Sequence, residues 1–250
     1  MLKIAIVRFA IALLVLLSGP LVYASFGSVS LGRDWRTAPR NSSGIAPRPA
    51  EYKGAIIQAY AARAFNWRGI FAVHTWIATK QAGADQYEVH QVIGWRLHWN
   101  QSVRVSGPDI PDRLWYGAKP QVLLDIRGAK AAELIPKIRS AVKSYPYPWE
   151  YRVWPGPNSN SFVAWVAREV PELGLDLPVT AIGKDYLANG GIFDRAPSGT
   201  GYQFSFFGVL GLIAAQSEGL ELNLLGLSFG VDPLKPAIKI PGFGRLGMDR

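Results

Sequence analysis

A chain of 250 residues, 49% apolar and carrying 9 Trp, 10 Tyr and 11 Phe, has the composition of a globular protein and not of a disordered one. Its net charge of +9 is not distributed as in a nucleic-acid binder: residues 1–53 carry 7 Lys/Arg against 2 Asp/Glu and the rest 20 against 16, with no basic helix and no aromatic–basic sheet motif. The absence of cysteine excludes disulfides, thiolate metal sites and thiol nucleophiles.

At the N-terminus, Lys3 and Arg8 precede the apolar run 9–17, and no further charge occurs until Arg33. Two templates fit. As a signal peptide, 9–17 is the apolar core, Pro20 breaks the helix, and Val22-Tyr23-Ala24 offers a cleavage site. As an anchor, residues 4–26 rise ~1.5 Å each and reach across a ~30 Å hydrocarbon core, with Arg8 snorkelling to the interface. A helix of the domain surface would show a polar face, and this run has none. Either way the protein is expected in a bacterial cell membrane or periplasm, with membrane lipid as a partner. Arg33, Arg36, Arg40, Arg48 and Lys53 follow, and cations so placed are attracted to anionic lipid heads by about 1 kcal/mol each. Residues 27–53, rich in Gly, Ser, Pro and Arg, read as a basic tether.

Residues 54–250 predict one α+β domain. The apolar stretch 55–62 and the β-branched, aromatic run 69–78 read as strands, and 87–97 as a second strand closing a hairpin over 70–97. Residues 103–105 and 121–126 are shorter strands. Ala131, Leu134, Ile135, Ile138 and Val142 place a helix over 129–144. Phe162, Val163, Val166 and Val170 place another over 159–170, closed by Pro171. The apolar segments 202–214 and 220–231, around the turn Ser217-Glu218-Gly219, predict an apolar C-terminal hairpin. Pro233, Pro236 and Pro241 imply irregular chain after it.

Only three histidines are available to carry chemistry, His74, His90 and His98. His74 lies in an apolar strand, where a neutral imidazole needs a partner and is either a satisfied core residue or a base. The second site is Trp154-Pro155-Gly156-Pro157-Asn158-Ser159-Asn160-Ser161-Phe162, a turn feeding an amphipathic helix. Asn158 is a good N-cap. Ser159 falls in the first turn, where free N–H groups and the helix dipole favour negative charge. The plain alternative is that both merely cap the helix. Asp109, Asp112 and Glu150 read as solvated loop carboxylates, and Lys184-Asp185 as a local pair. His74 and His90 with Glu88 lack the tight spacing of a metal site, so no metal and no cofactor is expected.

Ala72-Val73-His74-Thr75 and Asn158-Ser159-Asn160-Ser161-Phe162 resemble the motifs of circularly permuted papain-like hydrolases, including the deSUMOylating isopeptidase and lecithin retinol acyltransferase families. Those families carry His on a strand, a polar residue on the adjacent strand, and later a helix-opening Asn-Cys. The resemblance implies an antiparallel papain-like sheet with Ser159 as nucleophile, His74 as base, Glu88 or His90 as orienter, and the Ser159 N–H or the Asn158 amide as oxyanion donor. Ser159 stands where those families place Cys. A hydroxyl is far less acidic than a thiol and needs general-base help during attack. The chain also resembles a family of uncharacterised proteobacterial membrane proteins through Asp34-Trp35-Arg36, Val73-His74-Thr75-Trp76, Trp154-Pro155-Gly156-Pro157-Asn158-Ser159 and Ile182-Gly183-Lys184-Asp185. That likeness implies membrane association.

The expected function is therefore a membrane-associated envelope hydrolase or acyltransferase acting on an amide or ester, with a peptide or acyl substrate. The alternative is a non-catalytic envelope module that kept the fold and lost the thiol.

Overall fold

A computed structural model describes residues 2–27 and 31–248; within the first helix the side chains at 2, 3, 5, 9–12 and 15 also lie outside the described set. That helix, α1, runs over Leu2–Phe26 and continues through Pro20. Among the described residues no helix is long and apolar enough to cross a membrane. The leader expected over 4–26 falls partly outside the described residues.

Five antiparallel strands form the first sheet: β1 (Ile56–Arg63), β2 (Val73–Lys80), β3 (Glu88–Val92), β4 (Arg104–Pro108) and β5 (Gln121–Arg127), in the order β4-β3-β2-β1-β5. Helices α2 (Ala129–Ser144) and α3 (Ser159–Glu169) cover one face, as their apolar spacing requires. Leu134, Ile135 and Ile138 of α2 are fully buried there beside Ile57, Ile77 and Phe162. Each such side chain contributes about 1.5–3 kcal/mol on burial. The strand foreseen over 69–78 starts only at Val73, because Asn66–Ile70 forms a 3₁₀ turn entered through Asn66 at φ 60°. The strand foreseen over 87–97 stops at Val92. Gly94–Trp99 is a second 3₁₀ turn, ended by Asn100 in the left-handed region.

The other face of the sheet carries Tyr60, Trp76, Tyr87 and Trp115, and Ile45, Ala46 and Tyr52 pack on it from the segment expected to be a tether. That segment is instead a strap tied to Asp112. The Asp112 carboxylate accepts the Ser42 hydroxyl at 2.8 Å, the Ile45 N–H at 2.7 Å and the Ala46 N–H at 3.2 Å. Asp112 is 1% exposed, so it is a buried anchor where a solvated loop residue was expected. Burial pushes its carboxyl up, but these donors outweigh burial and hold it below the usual carboxylate range.

In place of a C-terminal hairpin there is a seven-stranded antiparallel meander. Its strands are β6 (Phe193–Arg195), β7 (Gly201–Phe206), β8 (Leu210–Ala215), β9 (Gly219–Leu224), β10 (Leu227–Asp232), β11 (Ala237–Ile240) and β12 (Gly244–Gly247). Each apolar run that read as one strand is two. Phe207-Gly208 and Leu225-Gly226 turn the chain inside them with positive φ, the glycine in each being an ordinary turn former and the large apolar residue before it not. The proline-punctuated tail forms β11 and β12 around Gly242.

Candidate functional site

The first turn of α3 is built by its own polar side chains. The Asn158 Oδ1 accepts the N–H groups of Asn160 and Ser161 at 2.9 and 3.1 Å, and the Ser161 hydroxyl accepts the Asn158 N–H at 2.8 Å. This is a reciprocal capping box, closed by Ser in place of the usual Glu or Gln. The Asn158 amide also donates to Val153 O and Ile182 O, so both of its hydrogens serve the fold and the oxyanion role expected of it is filled by neither. Asn160 ties the turn to β2, donating to Val73 O at 3.0 Å and accepting from the Thr75 hydroxyl at 2.9 Å. Phe162 enters the core. Of the motif's polar side chains only Ser159 is left. Among the described residues its hydroxyl has no hydrogen-bond partner, although it is 4% exposed. Its backbone N–H, at the first helical position, takes no part in the cap.

On β2, alternation sends His74 and Trp76 to one face and Thr75 to the other. Thr75 is the residue that touches α3, its hydroxyl 3.4 Å from Ser159 O. His74 is held from the adjacent strand: its Nε2 lies 3.0 Å from Gln91 Oε1. The carbonyl oxygen can only accept, so Nε2 carries the proton and Nδ1 is the basic nitrogen. The imidazole is stacked on Trp115 with centroids 3.6 Å apart and is flanked by Trp76 at 5.7 Å. Burial lowers its pKa to about 4, against a smaller opposing effect of Gln91, so the ring is neutral near pH 7. No hydrogen bond joins His74 to Ser159.

The orienting position foreseen for Glu88 or His90 thus belongs to Gln91. Glu88 pairs with Arg139 of α2 at 2.8 Å. His90 bonds the Thr79 hydroxyl through Nε2 at 3.0 Å and the Ser106 hydroxyl through Nδ1 at 2.7 Å, and burial lowers its pKa to about 4. Strand alternation explains the difference. Residues 88 and 90 share one face of β3, and 91 is on the face to which His74 projects. Among the described residues no group of three or more His, Asp or Glu is arranged to hold a metal ion.

A second polar centre, unseen in the sequence beyond the Lys184-Asp185 pair, joins α3 and the 184–185 segment to the seven-stranded sheet. Lys184 Nζ lies 3.1 Å from Asp185 and 2.7 Å from Glu221, whose other oxygen accepts from Lys239 at 2.6 Å. Asp185 also accepts from Gln203 and Ser228, and Arg168 donates to Gln203. Burial alone would push the Glu221 carboxyl up, but the two ammonium groups outweigh it and hold it below the carboxylate range. Burial likewise opposes the charge on Lys184, and Asp185 and Glu221 reverse that and raise it. These charges are mutually satisfied, which suits a structural joint.

No curated protein and no solved structure matches the chain. Residues 54–186, which run from β1 through His74, Gln91, Ser159 and Lys184 and stop short of the seven-stranded sheet, match the family described as a protein of unknown function, DUF3750, and the chain belongs to that family.

Proposed function

We propose that the protein is a serine-type hydrolase or acyltransferase of papain-like arrangement, acting in the bacterial envelope, with Ser159 as nucleophile, His74 as base and Gln91 as the group that positions His74. One observation carries this: the hydrogen bond from His74 Nε2 to Gln91 leaves Nδ1 as the basic nitrogen, while Ser159 is the one polar side chain of its motif with no structural task. In the reaction, Ser159 Oγ attacks the carbonyl carbon of an amide or ester as its proton passes to His74 Nδ1; His74 projects from the face of β2 opposite to the one that meets α3, so this transfer requires the ring to leave Trp115 and turn past the start of β2 toward Ser159. The oxyanion is received by the Ser159 N–H and the positive end of α3. His74 then returns the proton to the leaving amine or alcohol, and water or an acceptor releases the acyl group from Ser159. The envelope location rests on the apolar segment 4–26, as leader or anchor. A fluorophosphonate probe is expected to label the wild-type protein and neither Ser159→Ala nor His74→Ala; equal labelling of Ser159→Ala removes the proposal.

A specific observation favours the non-catalytic alternative. Trp115 lies flat on the His74 ring, and burial leaves that ring a weak base, well below the pKa near the working pH that suits general-base catalysis. In that case Ser159→Cys and Ser159→Ala behave alike, and no variant at position 159 reacts with the probe.

A further inference from the structure

The seven-stranded sheet is inside out. Its inner face carries Gln203, Glu221, Asn223, Ser228 and Lys239, and its outer face is apolar. Phe204, Leu212, Leu222 and Phe229 stand in register across four strands of the outer face. Leu212 is 50% exposed, whereas the neighbouring Glu221 is 2% exposed. No outward residue of β7 to β10 is charged. An antiparallel sheet beside water ordinarily turns its polar face out. The polar inner face is stable here because the joint around Lys184 and Lys239 satisfies it. That leaves the outer face needing an apolar surrounding. Seven strands ~20 Å long at ~4.8 Å spacing present on the order of 500 Å², as much as the largest patch of an ordinary monomer before anything else is added.

More is added at one end. The β7–β8 and β9–β10 turns place Phe207 and Leu225 at φ 52° and 54°, each nearly two-thirds exposed, where two-residue hairpin turns beside water favour Asn or Asp. The β11–β12 turn, with Phe243, lies at the same end, and α1 is fastened there. A Cβ on Gly19 would meet Pro241 O at 2.0 Å, and Gly242 packs on Pro20. The Arg63 guanidinium lies over the Tyr23 ring at 3.6 Å and donates to Gly242 O at 2.6 Å. Apolar helix, apolar tips and apolar face therefore meet at one end of the sheet.

We infer that the outer face of the β6–β12 sheet, together with α1 and the Phe207, Leu225 and Phe243 tips, rests on a lipid bilayer at the boundary of headgroups and acyl chains. Three separate elements, one of them a helix without a polar face, share that surface, and a bilayer accommodates all three at once. Full immersion is excluded by the open edges at β6 and β12, whose unpaired backbone groups require water or headgroups. The opposite end carries the polar turns at Ser217-Glu218 and Asp232, which stay out of the lipid. This inference does not rest on the His74–Ser159 centre.

The absence of native cysteine makes the test direct. Leu222→Cys and Leu212→Cys in the full chain are labelled with an environment-sensitive fluorophore, with Glu133→Cys on α2 as control. The proteins are mixed with phosphatidylethanolamine–phosphatidylglycerol vesicles. On vesicles the fluorophore at 222 and 212 is expected to brighten several-fold and to be quenched by lipids carrying doxyl groups on the acyl chains, while the control stays in water. Because α1 could bring the chain to vesicles alone, the environment at 222 decides the matter. A water-exposed signal there on vesicle-bound protein overturns the inference, as does failure of the full chain to associate with vesicles. Protection of 222 before vesicles are added, with disulfide cross-linking of Leu222→Cys between copies, also overturns it and assigns the face to a second copy of this chain.

Discussion

Gln91 Oε1 fixes His74 through a single 3.0 Å hydrogen bond to Nε2, and that bond decides which imidazole nitrogen is basic. Gln91 is neutral, so it sets the tautomer and opposes only weakly the effect of burial on the protonated ring. Gln91→Glu brings a carboxylate to the same place and is expected to raise the His74 pKa from about 4. An NMR titration of the imidazole reads the shift directly. An unmoved titration would mean that the pair is not formed in solution.

The two buried histidines also predict how stability depends on pH. His74 and His90 are both lowered to about 4 in the folded protein, whereas an unfolded chain takes up these protons near pH 6.5. Between those values the unfolded state binds more protons, so stability is complete above about pH 6.5 and falls as pH drops towards 4. The loss by pH 5 is on the order of 2 kcal/mol for each histidine. Asp112 and Glu221, held below the carboxylate range, add their losses only at lower pH, so this window isolates the histidines. Denaturant midpoints at pH 7 and pH 5, compared with those of His90→Asn, check the magnitude; the variant should lose about half the pH dependence.

The strap over residues 31–53 hangs on one carboxylate. Asp112→Ala leaves the half-buried Ile45 and Ala46 N–H groups and the exposed Ser42 hydroxyl without their acceptor, and the two amides together are expected to cost about 1–2 kcal/mol, below the penalty for fully buried donors. The strap is expected to loosen before the sheet unfolds. Trypsin should then cut after Arg36 and Arg40 much faster than in the wild type, with the remainder of the chain still folded. Unchanged cleavage would show that the apolar contacts of Ile45 and Ala46 suffice.

Much of the first layer was legible because periodicity exposes it. Ala131 to Val142 gave α2, and Phe162 to Val166 with the Asn158 cap gave α3, since both helices bury one stripe and end at recognisable residues. What failed was whatever depends on register. Gln91, which holds His74, is one residue from the expected His90 and three from Glu88, and only the face assignment of β3 separates them. The meander failed for a different reason. Its outward residues are apolar, its turns are Phe207-Gly208 and Leu225-Gly226, and its inner face is polar, so the usual punctuation and the usual direction of burial are both reversed. Asp112 was misread because a carboxylate in a loop shows no sign, in sequence, of the distant backbone donors it receives.

The joint between the 184–185 segment and the seven-stranded sheet predicts an asymmetric response to mutation. Glu221 is the shared partner of Lys184 and Lys239, and all three are fully buried. Glu221→Leu leaves two buried ammonium groups undercompensated and is expected to cost about 3–5 kcal/mol. Replacing Lys184, Glu221 and Lys239 together by apolar residues of similar size, with Asp176→Asn and Asp185→Asn to discharge the other partners of the two lysines, should cost less than the single change, because no charge is stranded. Chemical denaturation of the two proteins decides this, and equal losses would mean that the charges contribute little individually.

Ser159 and Ser161 stand two residues apart in one helix turn and should separate function from structure. Ser161 accepts from the Asn158 N–H and donates to Asn158 O, so Ser161→Ala opens the capping box and is expected to lower stability by about 1–2 kcal/mol. Its hydroxyl has no part in the proposed chemistry, and the folded variant should still react with a fluorophosphonate. Ser159→Ala removes a hydroxyl with no partner and should change stability by about 0.5 kcal/mol or less, while abolishing the reaction. The crossed pattern, loss of labelling without loss of stability at 159 and the reverse at 161, is what a nucleophile beside a cap must give. If both variants lose stability and neither affects labelling, Ser159 belongs to the cap after all, and His74 is a core histidine held by Gln91 and Trp115.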